Sequence, residues 1–131
     1  MKINKLFASI AAVGILTIGL GSFANGATSY YGYGGKVPTV NDLESTNAVK
    51  DNSASAYNFV QYIQRGKLVS WVENTSGSNV SQSGTYSARA VIPMDYLGNA
   101  SSLIGKNLHL NISTSTGTVE SVDTDGEWTP S

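Results

Sequence analysis

His109 is the only imidazole in the 131-residue chain, and the chain has no cysteine. Any nucleophile–base chemistry would therefore have to run through that one ring. His109 lies inside Asn107-Leu108-His109-Leu110-Asn111-Ile112-Ser113, where Leu108, Leu110 and Ile112 alternate with polar neighbours. Such alternation describes a half-buried strand whose polar residues, His109 among them, face solvent. Serines are plentiful, but none stands in the Gly-x-Ser-x-Gly elbow that presents a nucleophile to such a base. His109 reads as a polar strand residue, and no catalytic residue is assigned.

The acids are Asp42, Glu44, Asp51, Glu73, Asp95, Glu120, Asp123, Asp125 and Glu127. Two carboxylates flanking a sugar could cleave it. Most of these acids, however, fall in turn-like sequence, and a domain of about 100 residues has little volume for both a core and a cleft. Asp123-Thr124-Asp125-Gly126-Glu127 clusters oxygen ligands as a calcium loop does. The full loop needs a bidentate Glu further along the chain, and none follows before Ser131. The segment reads as an Asp-Gly turn. Zinc is unsupported without a cysteine or a second histidine. No metal and no cofactor is expected, and the protein is read as non-enzymatic.

What remains is aromatic surface. Tyr30, Tyr31 and Tyr33 lie in a Tyr/Gly cluster near the start, and Trp128 stands near the end. Rings with a polar edge suit contact with glycan, lipid interface or protein. These four residues are the candidate recognition residues. The Tyr/Gly cluster equally suits a loose terminus or a first strand laid along the sheet.

The elements that must position these residues begin after a leader. Lys2 and Lys5 precede an uncharged apolar run over 6–20, and small residues follow at Ser22, Ala24 and Gly26. This is the pattern of a secretory signal peptide, residues 1–26, with cleavage after Ala24, Gly26 or Ala27. The run is short of the roughly 20 residues of a membrane span. No stable span is expected after its removal, and the mature chain should be extracellular. Without the two leader lysines, six basic residues face nine acidic ones. No basic patch remains to neutralise phosphates, so nucleic acid is not an expected partner. An exported domain without disulfides also points away from eukaryotic secretion and toward a bacterium with a single membrane.

Residues 27–56 read as a Tyr/Gly-rich and polar N-terminal segment, and 57–131 as the β-sandwich core. The densest apolar stretch spans 57–74, divided by Arg65-Gly66. A two-residue loop there predicts a hairpin with Val60, Tyr62, Val69 and Trp71 on one face, pointing into the sandwich. Phe59, Ile63, Leu68 and Val72 then occupy the other, as a covered central pair or a docking surface. A third strand is expected over 86–92, stopped by Pro93. A crossing connection follows over 94–106, with a helical turn near Ala100. The strand holding His109 comes next, and a short strand over 118–122. Short strands with regular turn signals predict an all-β protein, a small antiparallel β-sandwich preceded by a signal-peptide helix.

Several runs carry a family likeness: Ser55-Ala56-Tyr57-Asn58-Phe59-Val60, Gly66-Lys67-Leu68-Val69-Ser70-Trp71-Val72-Glu73-Asn74, Gly105-Lys106-Asn107-Leu108-His109-Leu110-Asn111 and Gly126-Glu127-Trp128-Thr129-Pro130. Together they resemble a group of small secreted Gram-positive proteins similar to the lactococcin family of bacteriocins. The resemblance implies a secreted β-sandwich with a bacteriocin-like action on other cells or the cell envelope. It implies no functional residues. A structural or adhesive role on an envelope component or another protein is the alternative expectation.

Overall fold

The computed structural model describes residues 29–131. The leader and its cleavage positions lie outside the described residues. Nine strands follow in order: β1 Tyr31–Val37, β2 Leu43–Glu44, β3 Ala48–Val49, β4 Ala56–Ile63, β5 Leu68–Asn74, β6 Gly84–Tyr86, β7 Ala90–Met94, β8 Asn107–Thr114 and β9 Val122–Thr129. They form two antiparallel sheets packed face to face. One has the order β1-β9-β4-β7; the other has β2-β8-β5-β6, with β3 also on β8. This is the all-β sandwich that the strand spacing predicts. Among the described residues no helix is long and apolar enough to cross a membrane.

The space between the sheets is filled by Val37, Ala56, Val60, Leu68, Val72, Met94, Leu108, Leu110, Ile112, Val122 and Trp128, all essentially without exposure. Leu108, Leu110 and Ile112 face inward as their alternation requires. The N-terminal segment is part of this construction: β1 pairs along β9 from Tyr31↔Trp128 to Val37↔Val122, and β2 and β3 pair with β8.

The stretch 57–74 is not a hairpin. β4 has both edges taken by β9 and β7, and β5 by β8 and β6, so the two strands belong to opposite sheets. The chain crosses between them at Arg65-Gly66, where Gly66 takes the left-handed φ of 68°. Each strand has one face in the core and one outside, so the apolar residues of the second face, Tyr57, Phe59, Val69 and Trp71, lie on the outer sides of their sheets. Leu68, Ser70 and Val72 point inward, while Val69 and Trp71, expected inside, point outward. On β4 a bulge intervenes: Val60 pairs with Gly126, but Tyr62 pairs with Asp125. The extra residue reverses the alternation, so Val60 is buried and Tyr62 is 47% exposed.

The segment 86–92 likewise divides into β6 and β7 on opposite sheets. Pro93 lies within β7, opposite Tyr57. An edge strand tolerates it because its amide is not needed on the outer side. The crossing over 94–106 contains a 3₁₀ turn, Ala100–Leu103, capped by the Asn99 side chain accepting from the Ser101 amide at 3.0 Å.

The Asp123–Glu127 run is strand, not turn. β9 is central, held by β1 and β4, and pairing on both edges overrides the weak strand preference of Asp and Gly. Val122, Thr124 and Trp128 face the core, while Asp123, Asp125 and Glu127 face out. At Gly126 a Cβ would run into the Phe59 carbonyl oxygen and the Tyr33 hydroxyl, so the position admits no side chain.

Candidate functional site

Three sets of polar or aromatic side chains stand out, one between the sheets and one on each outer face. Between the sheets, Tyr33 Oη donates to Asn58 Oδ1 at 2.6 Å, and Asn58 Nδ2 donates to Ser70 Oγ at 3.1 Å. Tyr86 Oη and Thr124 Oγ1 lie 3.2 Å apart, and Thr124 donates to the Tyr62 carbonyl at 2.7 Å. Burial pushes the Tyr33 phenol well up and the Tyr86 phenol up to about 12. Both remain neutral donors. This chain ties the two sheets together and is structural.

The outer face of the β1-β9-β4-β7 sheet carries Tyr30 edge-on to Phe59, with centroids 6.1 Å apart, and Tyr57 tilted on Phe59 at 6.0 Å. Tyr62 and Val91 extend this side into solvent, at 47% and 39% exposure. Glu127, opposite both Gly32 and Phe59, is buried, and neither carboxylate oxygen has a hydrogen-bond partner among the described residues. Burial pushes its carboxyl up to about 7. The nearby Glu127 charge, after burial itself, raises the Tyr30 phenol.

The four expected recognition residues are not brought together. Tyr30 alone joins this outer aromatic group. Tyr31 leans on Trp128 at 6.4 Å against the core, and Tyr33 and Trp128 are buried at 4% and 0% exposure. Alternation explains the split: Tyr31 and Tyr33 share one face of β1, and Trp128 lies directly across from Tyr31. The residues that do accompany Tyr30, Tyr57 and Phe59, stand two apart on β4. That i, i+2 spacing is visible in the sequence once the strand is known to be covered on one side only.

The third set lies on the outer face of the β2-β8-β5-β6 sheet. His109 points away from the core, as its alternation predicts, but it is only 9% exposed instead of solvated. Directly across the ladder stands Glu73, whose Oε1 lies 3.3 Å from His109 Nε2. On the other side Glu44 Oε1 lies 3.7 Å from the same nitrogen. Trp71 Nε1 donates to the other Glu73 oxygen, Oε2, at 2.8 Å. Two residues along β8, Asn111 donates to Asp42 Oδ2 at 3.1 Å. β2 does the positioning: its Glu44 pairs with Asn111, and the Ser45 hydroxyl accepts from the Leu110 amide at 2.9 Å. Sequence reasoning misses this cluster because its members lie far apart in the chain and meet only through strand pairing.

No protein-family model, no curated protein and no solved structure matches this chain.

Proposed function

We propose that the chain is a secreted, non-enzymatic, bacteriocin-like protein that acts on other cells or on the cell envelope, making contact through the outer face of its β1-β9-β4-β7 sheet. The observation that carries this reading is the aromatic group in which half-buried Tyr30 and Tyr57 pack over the buried Phe59, continued into solvent by Tyr62 and Val91. Clustered rings supply large contact area at small entropic cost, and such residues anchor recognition surfaces. The leader and the absence of cysteine support export from a single-membrane bacterium.

The same face also favours an adhesive envelope role. Rings on this face would suit a sugar, whose flat side stacks on them. Growth inhibition by the purified mature protein, measured against related Gram-positive strains, tests the first reading. Inhibition that falls at least tenfold in Tyr62→Ala with Val91→Ser, at unchanged thermal stability, supports it. Lack of inhibition across a broad panel, together with binding to isolated cell walls, would replace it with the adhesive role. Lack of both would overturn the contact surface.

A further inference from the structure

We propose that Glu44, Glu73 and His109 form a binding site for a divalent transition metal, with zinc as the representative ion. The site is independent of the aromatic face on the opposite sheet. His109 Nε2 and one oxygen from each carboxylate all lie within 4.8 Å of one another. Zinc bonds of roughly 2.0–2.2 Å to nitrogen and oxygen put neighbouring ligand atoms of a tetrahedron about 3.3–3.6 Å apart. The two separations from His109 Nε2, 3.3 Å and 3.7 Å, bracket that edge.

His109 itself supplies a second, independent observation. Its residue is 9% exposed, and its Nε2 has no hydrogen-bond partner among the described residues although two carboxylates flank it. The nitrogen lies at ion-pair distance from both oxygens, 3.3 Å from Glu73 Oε1 and 3.7 Å from Glu44 Oε1, and makes a hydrogen bond to neither. A buried nitrogen left this way normally costs stability, and an ion shared by all three groups would satisfy it.

The surroundings suit such a role. Trp71 holds Glu73 Oε2, which turns Oε1 toward His109. An outer hydrogen bond of this kind orients a ligating carboxylate. Glu73 and His109 sit on paired strands and are nearly buried, whereas the Glu44 side chain is 58% exposed and can swing the short distance to close the set. One imidazole with two carboxylates selects a borderline ion over calcium, which takes six to eight oxygens. Three protein ligands leave a coordination place for water or an external oxygen ligand.

The single histidine makes the test clean, provided the protein carries no histidine tag. Zinc chloride is titrated into the untagged protein while the imidazole nitrogen resonances of His109 and the tryptophan fluorescence are followed. Saturable, equimolar movement of the His109 signals is expected, with calcium and magnesium inert at the same concentration. Glu44→Gln and Glu73→Gln should each weaken binding at least tenfold, and Trp71→Phe by roughly 10–100-fold. Glu44 is exposed, so its variant keeps the fold and the result stays interpretable if Glu73→Gln is unstable. Unmoved His109 signals at millimolar zinc, equal response to calcium, or undiminished binding in Glu44→Gln would each overturn the site.

Discussion

Asn58 offers the sharpest test of how the two sheets are joined. It is fully buried on β4, accepts from Tyr33 of its own sheet and donates to Ser70 of the other. Ser70 Oγ in turn lies 3.5 Å from Met94 Sδ. Asn58→Leu keeps the branched side-chain outline, with bulkier methyl ends, but removes both hydrogen bonds. In a dry core it takes away the acceptor of the Tyr33 hydroxyl and the donor to Ser70 Oγ, which keeps only its weak contact to Met94 Sδ. Each stranded polar group costs about 1–3 kcal/mol, and the added apolar surface returns part of this. A net loss of about 2–4 kcal/mol is expected, read as the change in urea midpoint at constant slope. For a domain of this size that corresponds to a fall in Tm of roughly 10–25 °C. The decisive comparison is the triple variant Tyr33→Phe, Asn58→Leu, Ser70→Ala. With no polar group left behind, it should recover at least half of the loss, a non-additivity that contacting residues show and distant ones do not. A single Asn58→Leu costing under about 0.5 kcal/mol, or a triple variant no more stable than the single, would refute the bridge between sheets.

Glu127 should give the protein an unusual pH profile. Burial raises its folded-state carboxyl from 4.5 to about 7, so the folded state holds a proton that the unfolded chain releases. Its contribution is full below pH 4.5 and is lost as pH rises to about 7. Glu127→Gln should flatten that limb and stabilise the protein by about 1–3 kcal/mol at pH 8 in thermal or urea unfolding. The two tryptophans should behave differently: Trp128→Ala, in the core at 0% exposure, should cost about 3–5 kcal/mol. Trp71→Ala, on the outer face, should cost about 1–2 kcal/mol, mostly through Glu73. Lys50 is buried and its Nζ donates to the Ala54, Pro130 and Ser131 carbonyls at 2.6, 3.0 and 3.3 Å. Lys50→Met should free the last residues, seen as faster amide exchange at Asp51 and Asn52, whose amides bond to the Ser131 carbonyl.

Much of the fold was legible as local pattern. Leu108, Leu110 and Ile112 alternate with polar residues, and they line the core in β8 as that period demands. The helical turn near Ala100 and the crossing before β8 followed from residue chemistry close in the chain. The four candidate aromatics divide: Tyr30 lies outside, whereas Tyr33 and Trp128 turn inward because β1 and β9 pair edge to edge with Tyr31 opposite Trp128.

What the sequence by itself determined is the all-β class and the inward set of its most regular strand, because a period of two follows from backbone geometry alone. What only the tertiary structure decided is which strands share hydrogen bonds. Period reveals the face that a strand buries, never the neighbour at its edge. Residues 57–74 carry the pattern of a hairpin and become a crossing between sheets. Asp123 to Glu127 carries the pattern of a turn and becomes a central strand. His109 reads as solvated, yet strand pairing sets it between Glu44 and Glu73. That meeting exists only because β2 and β5 flank β8 on either side.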